Sequence, residues 1–260
     1  MPYSTLTLEW EDEIALLTLN RPEKRNALST AMMEEIVSAL AEIETSAARA
    51  AILTGSGTSF CAGMDLDALR ELASRSFEQN LEDSRRMANF FRRIYGFPKP
   101  LVAAVNGPAI AGGCGIATLC DFTLAVPAAK FGYTEVRIGF LPALVSVFLV
   151  RQIGEKRARD LLLTGRVVDA AEGMRMGLVT EVVPREELLP RARSLAKTVA
   201  GNSGASILET KRLLLSCAEN ELRRQLELAI DANARIRLSD DFREGISSFL
   251  EKRPPRWTGK

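Results

Sequence analysis

Short apolar runs alternate along the chain with longer stretches whose apolar residues recur every three or four positions. The short runs predict buried β-strands, and the longer stretches predict helices that pack one face on a sheet. The predicted strands cover residues 6–10, 14–19, 50–54, 101–105, 122–126 and 178–183. A predicted helix that carries Met32 and Ile43 is preceded by Ser29 and Thr30, either of which can cap it. This alternation of strands and helices is typical of the α/β class.

The rest of the pattern predicts a charged segment, a buried segment and a helical end. Residues 67–95 are rich in charge, and we expect a mobile loop there, followed by a surface helix. The very apolar segment 144–150 is expected to be buried. From residue 185 onward the predicted helices are 186–200, 203–218, 220–238 and 240–250. We therefore predict an α/β core over residues 1–195 and a helical region over 196–260, which is either a self-contained bundle or an oligomer contact.

The most informative stretch is 105–121, in which a strand runs through several glycines into a short buried helix. The first amides of a helix have no carbonyl partner within the helix, and its dipole favours negative charge at that end. Glycine also allows a ligand to approach the backbone closely. The stretch is therefore a candidate site for an anion or a developing oxyanion, with a tight turn that serves packing only as the alternative.

Composition excludes several classes of protein. The net charge of +1 gives no reason to expect nucleic acid or an anionic membrane as a partner. No apolar run approaches the roughly 20 residues that span a bilayer. The first residues lack the basic and apolar regions of a signal peptide, which predicts a cytoplasmic protein.

The chain contains no histidine. This excludes Ser-His-Asp and Cys-His catalysis, histidine general bases and the usual zinc sites, and we expect no metal. Four cysteines lack metal-like spacing and are expected to be free thiols. Any acid–base chemistry must therefore use carboxylates, lysine, tyrosine or a thiol.

Seven motifs, in a fixed order over more than 200 residues, resemble the crotonase superfamily of enoyl-CoA hydratases and isomerases. They are Asn20-Arg21-Pro22 with Asn26-Ala27-Leu28, the run from Phe60 to Leu66, the run from Val105 to Asp121, Lys130-Phe131-Gly132 with Glu135, Leu163-Thr164-Gly165, Gly177-Leu178-Val179, and the run from Phe249 to Arg253. The resemblance implies a spiral of ββα units closed by C-terminal helices that form homotrimers, often paired into hexamers. It also implies an acyl-CoA thioester substrate and no further cofactor, since coenzyme A is part of that substrate.

The resemblance assigns roles to individual residues. Two backbone N–H groups, those of Met64 and Gly112, would bind the thioester oxygen on which negative charge develops. Residues at the positions that bind CoA in the family are Lys24, Arg25, Ala27, Leu28, Ala62, Asp65, Leu66, Phe249 and Lys252. In the family, the last two positions reach the CoA of a neighbouring subunit.

The well-known hydratases of the superfamily use two glutamates for acid–base work. Glu135 matches one of them, and the apolar run that follows is expected to raise its pKa. Gly115 stands at the position of the other and cannot act as an acid or a base. Another residue, such as Glu71, is a candidate replacement for that glutamate.

Three functions follow from this pattern. The first is an enoyl-CoA hydratase, because the segment 138–146 resembles bacterial hydratases of the methylglutaconyl-CoA type. The second is a double-bond isomerase, because a lone glutamate at the position of Glu135 is the isomerase pattern. The third is an acyl-CoA-binding protein that has lost catalysis. A dinucleotide-binding oxidoreductase is disfavoured, because the glycines of 107–115 lack the required spacing.

Overall fold

The computed structural model describes residues 3–260, apart from the side chains of Leu66 and Asp67. Within this range, nine strands form two sheets. The strands are β1 (Leu6–Glu11), β2 (Ile14–Leu19), β3 (Ala50–Gly55), β4 (Leu101–Val105), β5 (Ala109–Ile110), β6 (Phe122–Ala125), β7 (Lys130–Gly132), β8 (Val167–Asp169) and β9 (Glu181–Val182). The predicted α/β class is confirmed.

Eleven α-helices lie in the same described range. They are α1 (Thr30–Thr45), α2 (Leu66–Leu72), α3 (Phe77–Tyr95), α4 (Gly112–Leu119), α5 (Ala143–Ile153), α6 (Glu155–Thr164), α7 (Ala170–Met176), α8 (Leu188–Ala200), α9 (Gly204–Ser216), α10 (Glu219–Ile236) and α11 (Asp240–Leu250). Three 3₁₀ turns complete this range, at Pro22–Lys24, at Glu135–Ile138 after β7, and at Arg185–Glu187. In this part of the chain, no helix combines the length and the apolar character that crossing a membrane requires.

The larger sheet has the strand order β1-β2-β3-β4-β6-β9. Strands β1 and β2 pair antiparallel as a hairpin, and the other neighbours pair parallel. The smaller sheet has the order β5-β7-β8 and lies beside the turn that the sequence analysis singled out. The predicted strand 178–183 is reduced to the two residues of β9 at the edge of the larger sheet.

Helix α1 illustrates how local sequence produces the predicted element. The Ser29 side chain accepts a hydrogen bond from the Met32 amide at 3.2 Å, which satisfies one of the open donors at the helix start. The helix then buries its apolar residues at the predicted spacing.

The expected mobile loop at the start of 67–95 is not present. Helix α2 occupies the segment, because Leu69 and Leu72 form an apolar cluster with Phe242 and Ile246 of α11. The partner residues lie about 170 positions further along the chain, so no local pattern could indicate this contact. The predicted surface helix is α3, but it buries one face, because α10 packs along it and Ser84 of α3 donates to Asn233 of α10 at 2.8 Å.

The C-terminal helices pack against different parts of the protein. Helix α8 packs on β3 and β4 and runs through the predicted boundary at residue 195, whereas α10 packs on α3 and α5. Helix α9 buries no residue and exposes Leu213 and Leu214, which are 63% and 67% accessible. The division of the chain and the trimer contact stay predictions.

Helix α11 fixes the 3₁₀ turn of Glu135 by an approach of backbone to backbone. A methyl group on Gly245 would lie 2.2 Å from the Ile138 carbonyl oxygen, a distance that no side chain occupies without displacement. We expect Gly245→Ala to lower the free energy of unfolding by about 2 kcal/mol, measured by urea denaturation. Gly204→Ala is the matched control, because the same methyl group there meets nothing closer than 4.0 Å. Equal stability of the two variants would contradict the prediction.

Candidate active site

Two turns of the chain lie side by side at the ends of neighbouring strands. The segment around Cys61 forms a parallel bridge with Ala109, and the Ile110 amide donates to the Cys61 carbonyl at 2.9 Å. A methyl group on Gly113 would lie 2.3 Å from that same carbonyl, so only glycine permits the contact. This packing places Met64 and Gly112 on the wall of one cavity.

The amides of Met64 and Gly112 make no hydrogen bond within residues 3–260. Gly112 is the first residue of α4 and therefore has no carbonyl one turn earlier in the helix. The preceding residue, Ala111, has a φ of 51° and a ψ of −123°, a conformation that is costly for a residue with a side chain. Two open amides, one of them at a helix start, favour an oxygen that carries negative charge.

A cavity of about 320 Å³ brings most of the predicted site together. Ten of the predicted residues line it: Lys24, Arg25, Ala27, Leu28, Ala62, Met64, Asp65, Gly112, Glu135 and Phe249. Lys252 does not line it, and the side chain of Leu66 lies outside the described residues.

Glu135 is the first residue of the 3₁₀ turn and is only 7% exposed. Its Oε2 atom has no hydrogen-bond partner in the described part of the protein. Burial raises the pKa of this carboxyl from 4.5 to about 7, and a backbone hydrogen bond opposes the rise only in part. The expected apolar wall is present, because residues of the predicted buried segment, including Leu144 and Val145, line the same cavity. A carboxyl with such a pKa can exchange protons near neutrality.

The loop after β2 carries the candidate CoA contacts, and a buried Asn26 holds it in place. The Asn26 side chain donates to the carbonyls of Ser56 and Ser59 at 2.9 Å, and it accepts from the Arg21 amide. The Arg21 guanidinium pairs with Asp65 at 2.9 Å and so joins this loop to the segment that carries Met64. The carboxylate of Asp65 therefore helps to build the cavity wall.

A family model described as enoyl-CoA hydratase/isomerase matches residues 9–260, which is most of the chain. The chain belongs to this family. The predicted membership of the crotonase superfamily is thereby confirmed.

Relatives and solved structures agree with the family. A Thermus thermophilus protein with the printed name "Putative enoyl-CoA hydratase" is 47% identical over 245 residues, which cover 94% of this chain and 97% of that protein. The crystal structure of an enoyl-CoA hydratase/isomerase from Xanthobacter autotrophicus Py2 has a TM-score of 0.89 at 31% identity, with 98% of this chain and 99% of that chain covered. An enoyl-CoA hydratase from Mycobacterium avium gives 0.87 at 32% identity, with the same coverage. The predicted crotonase-like fold is confirmed.

Gly115 departs from the two-glutamate hydratases of the family, and the structure has no space for a side chain there. A methyl group on Gly115 would lie 2.8 Å from Val145 Cγ1 and 3.3 Å from Phe91 Cε1. The suggested substitute, Glu71, does not line the cavity of Glu135. Its carboxylate is 67% exposed and pairs with Arg75 at 3.0 Å, so this suggestion is wrong for the described structure.

Asn233 and Arg237 form a polar part of the cavity wall that was not predicted from the sequence. Both are buried, although they belong to or follow the amphipathic helix α10. The buried face of that helix runs through Leu226 and Ile230 at intervals of three or four residues, and the same spacing continues through these two polar residues. Polar side chains on an apolar face were the signal that could have found them. Within residues 3–260, no group of acidic, cysteine or histidine side chains is arranged to hold a metal ion.

Proposed function

We propose that this protein is an enoyl-CoA hydratase that adds water across the 2,3 double bond of an acyl-CoA thioester. The single observation that carries the proposal is Glu135, a buried carboxyl with an unpartnered oxygen and a pKa of about 7. It lines one cavity with Met64 and Gly112, whose amides have no partner among the described residues. A proton-transfer group and two donors for an oxyanion are what this reaction requires.

The two amides support the first half of the mechanism. When hydroxide adds to the β-carbon, the thioester becomes enolate-like and negative charge collects on its carbonyl oxygen. Hydrogen bonds from Met64 and Gly112 to that oxygen become stronger as the charge develops, which lowers the barrier. Amide donors do this without adding a group that titrates.

Glu135 supplies the proton transfers. In its ionised form it takes a proton from water while the oxygen of that water adds to the β-carbon. The carboxyl then gives the same proton to the α-carbon, on the same face of the double bond. The carboxylate is regenerated at the end, so a second acid–base group is not needed in place of Gly115.

The loop residues and the C-terminal segment support binding of the CoA part. Lys24 and Arg25 would pair with phosphate groups, and the backbone of Ala27 and Ala62 would hold the pantetheine arm and the adenine. Leu28 and Asp65, which line the same cavity, and Leu66 would add further contacts to the CoA part. Phe249 and Lys252 would reach the CoA of a neighbouring subunit in a trimer or a dimer of trimers.

Gly115 favours a second candidate, double-bond isomerisation. A single carboxylate is enough to remove a proton from one carbon of a 3-enoyl-CoA and return it two carbons away. Product analysis on matched 2-enoyl- and 3-enoyl-CoA esters separates the functions, because hydration yields a 3-hydroxyacyl-CoA. Failure to convert any ester while CoA thioesters still bind would favour a binding protein without catalysis.

The route of the proton predicts a pH profile with a single ionisation, that of Glu135. Because the carboxylate form starts both directions, we expect hydration of crotonyl-CoA and dehydration of 3-hydroxybutyryl-CoA to lose kcat/KM together below pH 7. The expected loss is roughly tenfold per pH unit below the pKa of about 7 that burial gives Glu135. The measurement is initial rates in both directions from pH 5.5 to 8.5, with circular dichroism to show that the protein remains folded. The two directions must share one profile, because hydration consumes no proton and its equilibrium constant is independent of pH. A bell-shaped profile, in which kcat/KM also falls above pH 7, would reveal a separate proton donor and contradict the single-carboxylate route.

A further inference from the structure

Arg237 is a buried arginine in the wall of the cavity that Glu135 also lines. Its side chain is only 1% exposed. One of its terminal nitrogens donates to Asp83 at 2.7 Å and to Asn80 at 3.3 Å, and the other donates to Asn233 at 2.7 Å. The guanidinium group is therefore held in a fixed orientation before any ligand binds.

The Nε atom of Arg237 has no hydrogen-bond partner within the described residues. Buried donors without a partner are rare, because each loses its hydrogen bonds to water on folding. Of the side chains that line this cavity, Glu135 and Arg237 are the two with such an atom in the described part of the chain. The proposed reaction uses the carboxyl of Glu135, whereas it gives no role to the Nε atom of Arg237.

The charge around Arg237 is not balanced by its partner. Asp83 accepts from Arg237, but it also contacts Arg75 at 3.2 Å and Arg86 at 3.5 Å. Three guanidinium groups thus share one nearly buried carboxylate, although that of Arg86 is half exposed, and among the described residues Glu71 pairs with Arg75. This part of the wall favours a negative charge inside the cavity.

Phe140 connects Glu135 and Arg237 in the cavity wall. The Phe140 amide donates to the Glu135 carbonyl at 3.0 Å, and the Phe140 ring lies 5.5 Å from the guanidinium carbon of Arg237. Phe140 therefore neighbours both groups, and it lines the same cavity together with Leu141. An acyl chain whose double bond lies at Glu135 can follow this apolar segment and end at Arg237.

We propose that the cavity accepts acyl groups with a carboxylate at the end distant from the thioester, and that Arg237 recognises this carboxylate through Nε. This inference rests on the proposed function, since it names the substrate class of the same site. An alkyl end would leave the donor unpaired and the positive charge uncompensated, and it would therefore bind more weakly. Arg237 thus acts as a specificity-determining residue and takes no part in proton transfer.

The test compares binding of saturated thioesters, which are not turned over. Succinyl-, glutaryl- and adipyl-CoA are titrated by calorimetry against their alkyl isosteres, 4-methylpentanoyl-, 5-methylhexanoyl- and 6-methylheptanoyl-CoA. We expect at least one carboxylated thioester to bind about tenfold more tightly than its isostere and than its own terminal amide. Equal affinities for carboxylate and alkyl at every length would overturn the proposal. An amide that binds as tightly as the carboxylate would also overturn it, because charge would then play no part.

Variants separate recognition from a structural role. We expect Arg237→Gln to reduce the carboxylate-to-alkyl affinity ratio to about one, and Arg237→Lys, which keeps the charge but lacks the fixed Nε donor, to reduce it in part. Arg235→Gln is the matched control, since this exposed arginine of the same helix pairs with Asp231, and the ratio should persist. An unchanged ratio in Arg237→Gln with weaker binding of both ligands would indicate a structural role and overturn the proposal.

The same titrations distinguish failure of this inference from failure of the proposed function. Binding of alkyl thioesters with normal hydration but no preference for carboxylates would overturn only the role of Arg237. Absence of binding by every CoA thioester would overturn the proposed function together with the inference.

Discussion

Glu135→Gln is expected to lower kcat for hydration of 2-enoyl-CoA by about 10³-fold while leaving the affinity for CoA thioesters nearly unchanged. Glutamine keeps the shape of the protonated glutamate but can neither accept nor return the proton of water. The two amides and the CoA contacts are untouched, so the effect should fall on kcat and not on binding. Steady-state kinetics and calorimetry with a saturated thioester measure the two quantities. Wild-type turnover in the variant would end the assignment of Glu135.

The same substitution should raise stability at alkaline pH, because the wild-type protein buries a charge there. The folded-state pKa of Glu135 is about 7, above its usual 4.5. The protonated carboxyl therefore stabilises the folded state at low pH, where Glu135 carries no charge. That contribution is fully present below pH 4.5 and is lost as the pH rises through 7. At pH 8 the glutamine variant should therefore exceed the wild type by about 3 kcal/mol in free energy of unfolding, and at pH 4.5 the two should be equal.

Urea denaturation at both pH values tests this expectation. Glu34→Gln is the matched control, because Glu34 is exposed on α1 and lies outside the cavity. If Glu135→Gln does not raise the free energy of unfolding at pH 8, or raises it equally at both pH values, the burial of an ionising carboxyl is contradicted.

Gly115→Glu, which restores the second glutamate of the two-carboxylate hydratases, is expected to destabilise the protein by about 3 kcal/mol or more and not to increase hydration. The added Cβ would lie 2.8 Å from Val145 Cγ1, in a buried turn of α4. Overpacking of this kind costs about 1–3 kcal/mol, and burying a further carboxyl adds to that cost. The single-carboxylate arrangement is therefore enforced by the packing of α4 against α3 and α5.

A double-mutant cycle identifies the cause. Val145→Ala removes the Cγ1 atom that the new side chain would meet, so the double variant should recover part of the loss and show a coupling energy of about 1 kcal/mol. Gly204→Glu is the matched control, since that position on α9 is exposed and its added atom would have no neighbour within 4.0 Å other than Arg49. A Gly115→Glu variant of normal stability and faster hydration would contradict this prediction, because Val145 and Phe91 would then have moved to accommodate the new side chain.

The amino-acid sequence by itself determined the elements that depend on residues close to one another along the chain. The hairpin at the start and the capped helix α1 follow from local periodicity and from one hydroxyl group, Ser29. The family motifs also located most of the cavity, because a strand that runs through glycines into a helix leaves open amides wherever it occurs. The place of Glu135 beside an apolar wall could be predicted for the same reason, since both lie within a few residues of each other.

Contacts between distant parts of the chain were decided by the tertiary structure alone. Helix α2 forms because α11 covers its leucines, Arg237 enters the cavity because α10 packs along α3, and Gly115 has no free space because Phe91 and Val145 meet there. Each of these outcomes depends on side chains that are far apart in sequence, and periodicity reports only which face is apolar. The sequence therefore determined the family and the candidate catalytic groups around Glu135, whereas tertiary packing decided that Asn233 and Arg237 line the same cavity.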